Sequence, residues 1–134
     1  MKVGSLNHVV LTVNDLGKSR VFYNALLPAL GYRLLFEEPG TFGFKGADGM
    51  TLIFGEAREE NRGATFDRYR VGLHHLAFNA PDREFVNAIH QKLVALGATI
   101  LDAPAEFPQY SPTYYAVFFL DPDGMKLEVV HVEG

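Results

Sequence analysis

At 134 residues the chain has the length of one ordinary domain, enough to bury a core of its own. It has no cysteine, which excludes disulfides, thiolate zinc sites and a cysteine nucleophile, and leaves imidazole and carboxylate as the groups able to hold a metal. The formal net charge of -4, from 12 Lys and Arg against 16 Asp and Glu, gives no electrostatic footprint for nucleic acid or for an anionic membrane, so a small molecule is the default partner.

In chain order, Leu6 to Val13 alternates as a half-buried strand, with Val9, Leu11 and Val13 on one face and His8, Val10 and Thr12 on the other. Met1 to Asn14 has none of the basic start, long apolar centre and small-residue cleavage site of a secretory leader, and no apolar run reaches the length of a membrane span, so a cytoplasmic location is expected. Asn14 and Asp15 supply cap chemistry for a helix in which Leu16, Ser19, Phe22, Tyr23, Leu26 and Leu30 recur at helical spacing, with Pro28 and Gly31 marking its end. Three short strands follow over 31–38, 41–46 and 50–55, separated by the turn sequences Pro39-Gly40 and Ala47-Asp48-Gly49. The charged stretch 56–71 reads as a linker. After it come a strand over 72–80, a helix capped by Asp82 with Phe85, Ile89, Leu93 and Leu96 as its apolar stripe and Gly97 as its stop, and strands over 98–102, 114–120 and 125–132.

This order is βαβββ written twice. Leu6-Asn7-His8-Val9-Val10-Leu11 matches Leu73-His74-His75-Leu76-Ala77-Phe78 at a shift of 67 residues, and Asp48-Gly49-Met50-Thr51-Leu52-Ile53-Phe54 matches Asp123-Gly124-Met125-Lys126-Leu127-Glu128-Val129 at a shift of 75. The fold class is therefore α+β: one domain of two βαβββ modules, 1–55 and 72–134, whose curved mixed sheets are expected to enclose a shared cavity.

Alternation puts His8 on the face away from its helix, and the repeat puts His75 at the matching position of the second module. Glu128 shares its side of the last strand with Val130 and Val132. Two neutral imidazoles and one carboxylate leave coordination positions open, a donor set suited to Zn, Ni, Co, Mn or Fe as the divalent ion. His74 falls on the helix-covered side as a satisfied structural histidine, and His90 and His131 are expected near the surface. The run Gln109-Tyr110-Ser111-Pro112-Thr113-Tyr114-Tyr115 is either a substrate wall or an edge strand with a proline turn; Tyr110, Tyr114 and Tyr115, with Thr51 and Ile53, are the candidate substrate contacts. Phe36, Phe42, Phe44 and Phe54 read as core or cavity lining.

The strand 6–13, the segment Phe22-Tyr23-Asn24, the strand 73–78 and Asp121-Pro122-Asp123-Gly124-Met125-Lys126-Leu127-Glu128 together resemble the vicinal oxygen chelate superfamily, which includes glyoxalase I, extradiol dioxygenases, fosfomycin-resistance transferases, methylmalonyl-CoA epimerase and bleomycin-resistance proteins. The resemblance covers essentially the whole chain and implies metal ligands at His8, His75 and Glu128, with Glu128 also the candidate catalytic group. Ile53 stands where glyoxalase I proper has a fourth ligand, and Phe118 where extradiol dioxygenases carry a tyrosine, so a lyase or isomerase ranks above a dioxygenase. The implied activity is that of a metal-dependent, glyoxalase-type enzyme on a small substrate that chelates the metal through vicinal oxygens. The competing reading is a non-catalytic protein that sequesters a small molecule, as the bleomycin-resistance branch does. A homodimer is expected from the same resemblance.

Overall fold

The computed structural model describes residues 3–134, so Met1 and Lys2, part of the segment read for a leader, lie outside the described residues. The elements run β1 (His8–Val13), α1 (Leu16–Ala29), β2 (Arg33–Glu38), β3 (Thr41–Lys45), β4 (Thr51–Glu56), a short 3-10 turn (Glu59–Asn61), β5 (His75–Asn79), α2 (Arg83–Leu96), β6 (Thr99–Glu106), β7 (Tyr115–Leu120) and β8 (Lys126–His131). The fold is α+β, two βαβββ modules each with one four-stranded mixed sheet. By its internal contacts the chain divides into two compact units, one ending at Ala64 and the other Thr65–Gly134.

In the first unit the strand order is β1-β4-β3-β2, with β1 and β4 parallel and the remaining pairs antiparallel. The helix-side face carries Val13, Phe42, Phe44, Leu52 and Phe54, all nearly inaccessible, against Phe22, Tyr23, Leu26 and Leu27 of α1. Phe54 stacks on Phe42 at 4.7 Å and lies 4.2 Å from Tyr23, so three of the aromatics read as core or lining are core. Phe36 is on the other face, half-buried over Gly43. A Cβ at Gly43 would come within 2.4 Å of its ring, which is why the strand carries glycine there.

Asp15 caps α1 by accepting from the Lys18 N–H at 3.0 Å. Asn14, the other residue with cap chemistry, is engaged elsewhere. Its amide donates to the Ala64 carbonyl at 2.8 Å and its side-chain oxygen accepts from the Gly63 N–H at 2.7 Å, tying the segment after β4 back to the end of β1.

The second unit repeats the plan in the order β5-β8-β7-β6, again with the outer pair β5 and β8 parallel. Its helix-side core is mostly aliphatic: Val86, Ile89 and Leu93 of α2 with Val117, Phe119, Leu127 and Val129 of the sheet. The stripe differs from the expected one, since Val86 takes the buried position and Phe85 and Leu96 are only half-buried. Asp82 accepts from the Phe85 N–H at 2.8 Å, and Gly97, in the left-handed region at φ 80°, closes the helix.

β6 is longer than the sequence implied. It continues past the expected end at 102 through Pro104 to Glu106, because it is the edge strand, where a missing N–H costs no ladder bond, and two register irregularities accommodate the added residues. β5 is shorter, beginning only at His75, so Leu73 and His74 precede the strand.

Candidate metal centre

The repeat is preserved in strand register. His8 is the partner of Thr51 and Val10 that of Ile53; at the corresponding places His75 is the partner of Lys126 and Ala77 that of Glu128. Because register partners point to the same face, His75, Lys126 and Glu128 share the face of the second sheet opposite α2. There they join Phe118, the partner of Glu128 on β7, and a small apolar cluster of Ala116, Phe118 and Val130 edged by Leu101, Phe107 and Tyr114. The turn leading into β8 is fixed by Asp121, whose carboxylate accepts from the N–H groups of Asp123 at 2.8 Å and Met125 at 2.9 Å.

Glu128 is 1% exposed, and a carboxylate at that depth requires partners. It has two. Its Oε1 lies 3.1 Å from His75 Nε2, and its Oε2 accepts a hydrogen bond from the Tyr114 hydroxyl. Burial first, and then the bond to the Glu128 carboxylate and its charge, push the Tyr114 phenol well above its ordinary range, so the hydroxyl remains protonated and donates.

The two histidines are oriented alike. His8 Nδ1 is 2.7 Å from the Asn7 side-chain oxygen, and since that oxygen only accepts, Nδ1 carries the proton and Nε2 presents a lone pair. At the repeat-equivalent place His75 Nδ1 is 2.7 Å from His74 Nδ1. His74 is exposed rather than on the helix side: preceding the strand, it has no sheet face to occupy. Desolvation, then the positive charge of His75, Lys126 and Arg68, holds its imidazole below the ordinary histidine range. As it stands, His75 Nε2–H is the group that can donate to Glu128 Oε1; a neutral His74 can accept from His75 Nδ1–H, so a metal ion at Nε2 would take the place of the proton shared with the carboxylate.

That arrangement fits a divalent ion. Two ligands each about 2.1 Å from one ion, at angles of about 90–109°, lie roughly 3.0–3.4 Å apart. The separation of His75 Nε2 and Glu128 Oε1 is 3.1 Å. Among the described residues no group of three or more His, Cys, Asp or Glu converges on one point, and His8 belongs to the first unit while His75 and Glu128 belong to the second.

Of the candidate substrate contacts, Tyr114 is on the Glu128 face and bonded to it. Tyr110 is 62% exposed, with its ring 5.2 Å from that of Tyr114. Tyr115 points the other way, donating to Asn87 of α2 at 2.7 Å beneath the Arg83 guanidinium. Thr51 and Ile53 are on the His8 face of the first sheet. The sequence reading gave Tyr114 no partner; the signal for the contact was its even spacing from Ala116 and Phe118, obscured by the nearby proline at position 112.

Residues 5–129 match the family described as the glyoxalase/bleomycin resistance protein/dioxygenase superfamily. The chain belongs to this superfamily. Relatives extend the match. The chain is 34% identical over 125 residues to the uncharacterized YqjT of Bacillus subtilis, covering 93% of this chain and 97% of that protein. It is 32% identical over 128 residues to the metallothiol transferase FosB of Lysinibacillus sphaericus, covering 96% and 82%. A solved superfamily structure from Bacillus halodurans, provisionally named a glyoxalase, superposes with a TM-score of 0.84 at 34% identity over 97% of both chains. No helix among the described residues is long and apolar enough to cross a membrane.

Proposed function

We propose that the protein is a metal-dependent enzyme of glyoxalase type, acting on a small substrate that carries vicinal oxygens and forms, or is already, a conjugate of a low-molecular-weight thiol. The observation that carries the reading is the buried Glu128 carboxylate held 3.1 Å from His75 Nε2, with the far nitrogen of His75 engaged by His74. His8, oriented by Asn7 in the same manner, is the proposed third ligand, with water or substrate taking the remaining positions.

A bound divalent ion supplies Lewis-acid stabilisation of negative charge as it develops on the substrate oxygens. Glu128 is the proposed catalytic carboxylate. Tyr114 donates to Oε2 and leaves Oε1 on the His75 side, so one oxygen is committed to positioning and the other to the metal and proton chemistry. Tyr110 and Tyr114 supply an aromatic edge for a compact ligand.

Two reaction classes share this site. Lyase or isomerase chemistry is supported by membership of the family and by the similarity to the Bacillus halodurans protein provisionally named a glyoxalase. Transfer of a thiol to an electrophile is favoured by the similarity to a protein named a metallothiol transferase. The assay that separates them uses protein loaded in turn with Fe(II), Mn(II), Co(II), Ni(II) and Zn(II). Rearrangement of the hemithioacetal of glutathione and a 2-oxoaldehyde is followed beside consumption of glutathione or cysteine by small epoxides. Turnover abolished by chelator and by Glu128→Gln is the expected result. Stoichiometric ligand binding without turnover under any metal replaces the enzyme with a sequestering protein, and absence of both overturns the reading.

A further inference from the structure

Beside His75 the second unit carries two cations that the metal chemistry does not use. Lys126, the register partner of His75, is on the Glu128 face, its ammonium 4.6 Å above the centre of the Phe118 ring, which itself lies 6.4 Å from the His75 ring. Arg68, in the loop before β5, has its guanidinium carbon 4.9 Å over the Tyr69 ring, and Tyr69 meets His74 edge-on at 5.5 Å. The contacts therefore run from Arg68 through Tyr69 and His74 to His75, whose register partner is Lys126.

Neither cation has a carboxylate within ion-pairing distance among the described residues; the nearby Asp67 pairs instead with Arg70 at 3.7 Å. Arg68 Nε is buried and has no hydrogen-bond partner. A buried guanidinium N–H without an acceptor has given up its hydration for nothing, and folded chains rarely leave one so unless something else supplies the acceptor.

We propose that Arg68 and Lys126 form an oxyanion subsite next to the metal centre, which takes a carboxylate, phosphoryl or phosphonyl group carried by the substrate. An oxyanion there gives Arg68 Nε its missing acceptor and gives Lys126 a charge-assisted partner. The inference deepens the metal-centred reading, and rests on it only for what the other end of the same ligand does. The expected substrate is then a small anion that presents vicinal oxygens to the metal and a second, negatively charged group to Arg68 and Lys126.

The test uses the full chain stripped of metal by chelator, titrated at constant ionic strength with inorganic phosphate and, separately, with malonate, while backbone amide shifts are followed by NMR. Saturable shifts concentrated in residues 66–76 and 125–128 are expected. The apparent Kd should rise about tenfold or more in the Arg68→Gln/Lys126→Gln variant and by a smaller factor in each single variant. Saturation by phosphate alone assigns a phosphoryl or phosphonyl group, and saturation by malonate assigns a carboxylate. Diffuse or unsaturable shifts in the wild type, or saturable shifts that survive in folded variants, overturn the subsite. Metal uptake measured on the same proteins separates the two claims: if the wild type takes up no metal, the metal-centred reading fails while the anion titration still decides the subsite.

Discussion

The two modules share a frame and differ in what is mounted on it. β1 meets β4 as β5 meets β8, in the same register, and in each module the residue before the candidate histidine engages its Nδ1: Asn7 in the first, His74 in the second. The frame thus decides where side chains go, and single substitutions on it decide chemistry. Ile53 and Glu128 occupy matching places, and only the second gives a carboxylate; Thr51 and Lys126 likewise match, and only the second gives a cation. The first module has the aromatic core, while the second has the aliphatic one and the concentration of polar groups on its other face.

The largest expected effect tests the difference in cores. Phe54 and Val129 are repeat equivalents, both wholly buried. Phe54→Ala should cost about 3–5 kcal/mol in denaturant unfolding, and Val129→Ala about 2 kcal/mol, from the apolar volume each removes. Equal losses would mean that the aromatic stack of Tyr23, Phe42 and Phe54 is not what holds the first module. Next, Ile53→Glu gives the first module the carboxylate it lacks. Metal titration should show binding tightened by about tenfold or more, because a directly coordinating carboxylate outweighs outer partners worth about 10–100-fold. Unchanged or weakened binding would separate the first module's last strand from the site.

Tyr114→Phe removes the donor to Glu128 Oε2 while keeping the ring, and should weaken metal affinity by about tenfold and cost about 1–3 kcal/mol in unfolding, because a buried carboxylate oxygen loses its donor. A variant that binds metal as the wild type does would reduce Tyr114 to packing. The smallest effects should be symmetrical: Asp15→Ala and Asp82→Ala each remove one N-cap bond, of 3.0 Å and 2.8 Å, and each should cost about 1 kcal/mol in the same unfolding assay. A large inequality would mean that one of the two caps carries more than its local bond.

Much of this frame was legible in the sequence because alternation and turn chemistry are local and the repeat states them twice. Element order, the Asp82 cap, the Asn14-Asp15 pair from which the first cap comes, Gly97 as helix stop and the shared face of His75 and Glu128 follow from that alone. What escaped depends on neighbours distant in sequence. Pro104 lies beyond the strand expected over 98–102 and joins it only once β6 is known to be an edge strand. His74 reads as a strand residue until β5 is seen to begin one position later. The Tyr114 contact with Glu128 spans fourteen residues and two strands, and the orphaned Arg68 Nε is a property of burial, which spacing does not encode.

The proposed centre is one divalent metal held by His8, His75 and Glu128. Its most direct test is elemental analysis of the purified protein after anaerobic loading with each candidate ion, beside His8→Ala, His75→Ala and Glu128→Gln. The account predicts about one ion per wild-type chain, and a loss of at least about a hundredfold in affinity in each variant, more than outer partners contribute. Stoichiometric metal retained in all three variants, or none bound by the wild type with any ion, would contradict it.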